Sequence, residues 1–297
     1  MIRIAVALVC LSSAFAQQIP DPKFDASVAH PAYPKRHPAV LFDEAHNNFH
    51  RTDGRYKPFA TLLTNDGYTI TPNREAFRAG TLRPYRVLVI ANALGSAAMG
   101  SADASKPAFT ADECRAVREW VERGGRLLLI ADHAPMGAAN QILARELGVT
   151  MGEGFTYDPR HSAEGAPSVL EFSRDNGLLA NHAITRGRNA SERISKVVAF
   201  TGQSLKGPPA GATILRLADS AFDKADRTSI EQRAVAGPSQ CIVFRSGKGR
   251  VVVLGEAAML SAQLGGANQR PMGMNVPGND DRQFALNLMH WLTGLLK

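Results

Sequence analysis

Short apolar runs alternate along this chain with stretches of helical periodicity, and the alternation begins near Ala39. Ala39–Phe42 reads as a buried strand, followed by a helix over Tyr56–Leu63 that Asn65-Asp66-Gly67 stops, and by a short strand over Tyr68–Thr71. Arg86–Ala91 is the next buried strand. The helix after it is the best specified. Thr110 and Glu113 form a capping box, Cys114, Val117 and Val121 recur on one face beside Trp120, and Gly124-Gly125 ends the helix. Strand Arg126–Ala131 follows at once, then a helix over Ala138–Leu147 closed by Gly148. Ile194–Phe200 and Ala212–Leu217 read as further strands. Gln240–Phe244 and Val251–Leu254 form an antiparallel hairpin around the two glycines of Arg245–Arg250. A terminal helix from about Asp280 carries the stripe Phe284, Leu288, Trp291, Leu292 and Leu295.

Apolar strands alternating with amphipathic helices predict an α/β fold: a mostly parallel sheet with helices on both faces, closed by a β-hairpin and a helix. One domain is expected over residues 39–297. Residues 17–38, with five prolines and few large apolar side chains, read as an extended lead-in. Residues 151–193 read as an irregular excursion, and Gly265–Gly278 as a loop without structure, of the kind that serves as a lid or binding loop.

The first residues change the setting. Arg3, the apolar run Ile4–Leu11 and Ala14-Phe15-Ala16 have the layout of a secretory signal peptide cleaved after Ala16, so a periplasmic or secreted protein without a membrane-spanning helix is expected. Beyond that segment the cysteines are Cys114 and Cys241, too few for a disulfide scaffold. The net charge of +7 comes from Lys and Arg scattered singly among acids, with no basic run or aromatic-interleaved patch, which argues against nucleic acid as a partner.

Candidate chemistry gathers at strand ends, where open α/β sheets keep their ligand sites. Asp43-Glu44-Ala45-His46-Asn47-Asn48-Phe49-His50 follows the first strand, Asp132-His133 follows Arg126–Ala131, and Gly255-Glu256 follows Val251–Leu254. Parallel neighbours would bring these clusters to one edge as a shared pocket. His46 and His50 have the four-residue spacing of a zinc-binding helix pair, but Asn47 stands where that motif places its glutamate, and no amphipathic helix surrounds them. Hydrogen-bonded loop histidines are therefore preferred and no cofactor is expected; a divalent metal held by His46, His50, Asp132 or His133 is the alternative. Gly202-Gln203-Ser204-Leu205-Lys206-Gly207 misses the nucleophile elbow by one residue, Gly152–Tyr157 lacks the third glycine of a dinucleotide fingerprint, and Cys114 lies on the apolar face of its helix. On the terminal helix Asp280, Gln283, Asn287 and His290 share a face, from which Asn287 or His290 would reach the pocket if the preceding loop carried them there.

Four segments together resemble a known group: the Asp43–His46 strand end, the unit Glu119–His133, Gly249–Glu256, and the closing Asn287-Leu288-Met289-His290-Trp291-Leu292. They are similar to the class I glutamine amidotransferase-like superfamily, most of all to the branch that includes the N-terminal domains of intraflagellar-transport and gliding-motility proteins. The resemblance covers most of residues 39–297 and implies a flavodoxin-like three-layer sandwich. Where catalytic members place a cysteine on a tight elbow, this chain has Asp132-His133-Ala134-Pro135, so glutamine hydrolysis by that thiol is excluded. What the non-catalytic branch implies is a site for a carbohydrate or other polar ligand.

Two functions follow as expectations. The first is an exported binding domain whose pocket, formed by Asp43, Glu44, His46, Asn47, His50, Asp132, His133 and Glu256, holds a small polar ligand or glycan through directed hydrogen bonds. The alternative is a hydrolase with Glu44 or Glu256 as general base, or with Asp132 and His133 acting on a metal-bound water.

Overall fold

The computed structural model describes residues 18–297, and the segment expected to be a signal peptide lies outside them. Five parallel strands form one half of a nine-stranded mixed sheet, in the order Thr69–Asn73, Ala39–Asp43, Val87–Ala91, Arg126–Ile130 and Gly249–Leu254. Antiparallel strands continue it: Ser239–Ser246 pairs with Gly249–Leu254 in the expected hairpin, and Ala212–Arg216, Leu205–Lys206 and Thr150–Met151 follow. The sheet is therefore mixed where a mostly parallel one is expected, because residues 150–246 return to it in short antiparallel pieces.

Strand alternation sorts side chains onto two apolar layers. Val40, Phe42, Leu128 and Val252 face helices Lys57–Asn65 and Asp281–Thr293, whereas Leu41, Leu127 and Val251 face helices Ala111–Glu122 and Met136–Glu146. Burial on both faces explains why these strands read as continuous apolar runs. The capping box forms as expected, with Thr110 Oγ1 accepting the Glu113 N–H at 3.3 Å and Glu113 Oε2 accepting the Thr110 N–H at 3.0 Å. No described helix is long and apolar enough to cross a membrane.

Two regions differ from their sequence reading in detail. Within 151–193, Val169–Ser173 pairs with Lys196–Phe200 as a two-stranded ribbon. The stretch 265–278 is not structureless: Ala262–Gly265 and Arg270–Gly273 form a hairpin, to which Ile19–Pro20 adds a third strand. A pairing between segments more than 240 residues apart leaves no periodic signal in either. The lead-in is extended, and Tyr33 packs edge-on against Tyr68 at 5.1 Å while its hydroxyl donates to Thr293 Oγ1 at 2.6 Å.

Candidate functional site

Because all five parallel strands point the same way, their polar ends share one edge of the sheet. Strand order then divides them. Arg126–Ile130 and Gly249–Leu254 are neighbours, which places Asp132 beside Glu256, whereas Asp43 is separated from Asp132 by the intervening strand Val87–Ala91. The polar cluster of residues 43–50 splits between two environments.

The first environment is a closed network. Both Asp43 oxygens lie 2.9 Å from His46 Nδ1, and they also accept from Asn48 Nδ2 at 3.0 Å and Asn73 Nδ2 at 3.1 Å. His46 Nε2 donates to Glu113 Oε1 at 2.9 Å, and the ring is held between Phe77 and Phe109 with centroids 4.6 and 4.8 Å away. Glu113 Oε1 further accepts the Phe77 N–H at 3.1 Å, while its other oxygen serves the helix cap. Burial opposes charge on His46, but hydrogen bonds and charge from Asp43 and Glu113 outweigh it and raise its pKa. Burial likewise works against Glu113, yet its bonds to Thr110, His46 and Phe77 hold its carboxyl down to about 2. An imidazole between two carboxyl groups, both ring nitrogens partnered, fastens the first strand end to the start of helix Ala111–Glu122.

The second environment is a cleft of about 710 Å³ whose wall includes His50, Asp132, His133, Thr201, Arg227 and Gln263. His50 is 3 % exposed, its ring lies 4.5 Å from that of Tyr56, and its Nδ1 has no partner among the described residues. Burial, reinforced by the charges of Arg55 and His133, pushes its pKa down to about 3. Gln263 Oε1 is also buried without a partner. Asp132 Oδ1 accepts the His133 N–H at 2.7 Å, and burial raises the pKa of this carboxyl. Beneath it Glu256, fully buried, accepts the Ala258 and Met259 N–H groups at 2.6 and 2.8 Å; burial first, and then the charge of Asp132, push its pKa well above the usual carboxylate range. His133 stacks on Phe155 at 4.3 Å, its Nδ1 donating to the Ala134 carbonyl at 2.8 Å and its Nε2 accepting from Arg227 at 3.1 Å.

The cleft is braced by residues that sequence reasoning missed. Gln203 Nε2 donates to the carbonyls of Ala131 and Asp132 at 2.8 and 2.9 Å, and Asn92 Oδ1 accepts the Asp132 N–H at 2.9 Å. Gly202, at φ +72°, passes so close over the strand end that a Cβ would lie 2.5 Å from the Gly255 carbonyl oxygen and 2.7 Å from Glu256 Cβ. Thr201 before it adopts φ 79°, an outlier for a β-branched side chain and one typical of functional sites. Of these, Gly202 and Gln203 leave a trace in the sequence, as part of the segment that misses a nucleophile elbow by one residue. Ser204 in that motif is buried and donates to Asp223 Oδ2 at 2.5 Å.

Several predicted site residues lie elsewhere. Asp43 and His46 belong to the closed network. Glu44 Oε1 accepts from the Thr52 N–H and hydroxyl at 2.9 and 2.6 Å, so this candidate base is a turn cap. Asn47 ties its loop to the Leu94 carbonyl at 3.2 Å. On the terminal helix, Asn287 donates to the Ile184 and Glu192 carbonyls, and His290 Nε2 lies 2.7 Å from Asp66 Oδ2, so neither reaches the cleft. His46 and His50 do not form a pair, and among the described residues no three His, Cys, Asp or Glu side chains gather as a metal would require. Cys114 and Cys241 are both free thiols, each buried in a different apolar layer.

No protein-family model and no curated protein matches the chain by sequence. Solved structures do match it in shape. The mmIFT52 N-terminal domain superposes with a TM-score of 0.60 at 14% identity, over 86% of this chain and 97% of that domain. A cytoplasmic protein from Salmonella typhimurium gives 0.51 at 13% identity, over 86% of this chain and 98% of that one. A ThuA-like protein from Parabacteroides merdae ATCC 43184 gives 0.47 at 13% identity, covering 88% and 91%. At these identities the likeness concerns the fold alone.

Proposed function

We propose that this protein binds a sugar, or the sugar end of a glycan, in the cleft over Asp132, and that it does so after export. The observation that carries this reading is the pair of unpartnered polar groups in the cleft wall, His50 and Gln263. Leaving a buried polar atom without a hydrogen bond costs about 1–3 kcal/mol, a cost that a ligand hydroxyl, both donor and acceptor, removes. Around them stand the Asp132 carboxyl, the Arg227 guanidinium and the apolar Phe49 and Phe200, the mixture of directed polar groups and flat faces that suits a sugar ring. The test is calorimetric titration with a panel of neutral and acidic sugars. A binding sugar should lose at least tenfold in affinity, about 1.4 kcal/mol, in both Asp132→Asn and Gln263→Leu. If no sugar in the panel gives heat or shifts the melting temperature, the reading is wrong. Export is checked separately by sequencing the N-terminus of the mature protein, which should begin at Gln17.

A hydrolase is the second reading, supported by Asp132 lying beside Glu256. Two carboxyls whose pKa values are raised together can share one proton, the arrangement used for general acid–base work. Glu256 is sealed from the cleft, so Asp132 would meet the substrate. Release of nitrophenol from aryl glycosides, lost in Asp132→Asn, would distinguish turnover from binding.

A further inference from the structure

A second cavity of about 560 Å³ adjoins the cleft, and Gln18, Val169, Phe200 and Met272 line both. Its floor is the outer face of the ribbon made by Val169–Ser173 and Lys196–Phe200. Alternation along these strands sends Leu170, Phe172, Val197 and Ala199 into the core, and turns Glu171, Lys196, Val198 and Phe200 towards the groove. The hairpin Ala262–Gly265 and Arg270–Gly273 forms the facing wall. From Phe200, at the mouth of the cleft, to Lys196, at the far end, the floor runs about 13 Å at the usual rise of a strand.

The chemistry of this extension selects among long ligands. An extended peptide is held by adding itself to a free strand edge, and here the edges are spent. Pro271 has no N–H, the Met272 N–H is given to Asn275 Oδ1 at 3.1 Å, and the Lys196 and Val198 N–H groups go to Asp280 and Asp281 at 3.0 and 2.9 Å. Side chains and flat faces are left to do the recognising. Phe200, Val169 and Pro271 offer apolar surface, while Glu171 and Lys196, 3.9 Å apart and both partly exposed, offer an acceptor and a donor to hydroxyl groups.

We infer that the cleft receives one end of a linear oligosaccharide and that its following units lie along the ribbon towards Lys196. The occupant is a chain of sugars, and the inference rests on the sugar-binding reading of the cleft. Titration of the mature protein with glucose, mannose and N-acetylglucosamine, and with linear oligomers of each from dimer to hexamer, tests both levels separately. For the sugar that binds, affinity should climb about tenfold or more with length and then level off once the groove is filled. Glu171→Ala combined with Lys196→Ala should remove that gain and leave the monosaccharide affinity unchanged; an exposed ion pair of this kind contributes little to folding. Asp132→Asn should weaken monomer and oligomer alike. Monosaccharide binding with no gain on lengthening, or a gain that survives the double substitution, overturns the extended groove while the cleft reading stands. No binding by any monomer or oligomer overturns both.

Discussion

His46 and His50 lie four residues apart in one loop, and the fold treats them in opposite ways. Both nitrogens of His46 meet carboxylates, whereas His50 makes no side-chain hydrogen bond among the described residues. The carboxyl groups differ too: Asp43 and Glu113 share the His46 ring, while Asp132 and Glu256, the latter accepting two backbone N–H groups, sit together with raised pKa values. Buried ionisable groups in this protein thus stand in two settings. A network with every partner supplied from within stabilises the fold, and the cleft keeps a buried imidazole nitrogen, His50 Nδ1, without a partner among the described residues.

The comparison breaks most visibly at Glu113. Glu113→Ala leaves His46 Nε2 and two backbone N–H groups without their acceptor while Asp43 still holds Nδ1, and each buried donor left unpaired costs about 1–3 kcal/mol. Urea unfolding should show that loss, while sugar affinity at temperatures where the variant is folded stays at the wild-type level. A substitution that abolished binding without lowering stability would reverse the assignment of the two clusters. A smaller effect of the opposite sign is expected at His50. His50→Leu replaces an unpartnered buried ring with an apolar side chain and should raise stability by about 1 kcal/mol, since the cost of the unmade hydrogen bond disappears. The same variant should lose ligand affinity, and a fall in its urea midpoint would mean that His50 is a structural group after all.

The gentlest probe changes no residue. His46 has a pKa raised above its ordinary 6.5, so its contribution to stability is fully present below pH 6.5 and fades as pH rises through the folded value. His50, pushed down to about 3, behaves in the opposite sense: the native state holds its ring neutral, and stability is lost as pH falls from 6.5 towards 3. Ring carbon and proton shifts followed by NMR should show one histidine of this loop titrating above 6.5 and the other silent down to about pH 4. Two rings titrating together near 6.5 would erase the distinction.

Much of the framework was legible because its signals are local. Val87–Ala91, Arg126–Ile130 and Gly249–Leu254 read as continuous apolar runs since each is buried on both faces, and the Thr110–Glu113 box announces its helix through contacts three residues apart. The candidate site was legible only as a set of strand ends. That Asp132 and Glu256 meet while Asp43 does not join them depends on strand order. Equally invisible were the positive φ of Thr201, the reach of Gln203 to the Asp132 carbonyl, and the second use of the capping glutamate Glu113 as a partner of His46.

The sequence by itself determined which residue types stand at the carboxyl edge of the sheet, with Asp132-His133 closely following the strand that ends at Ile130, because hydrophobic periodicity and chain order are properties of neighbours. Only the tertiary structure decided which of those groups are saturated and which are left open. Hydrogen-bond satisfaction is settled by partners tens of residues away: Glu113 lies 67 positions from His46, and a cleft wall assembles His50, Asp132, Thr201, Arg227 and Gln263 from five separate segments.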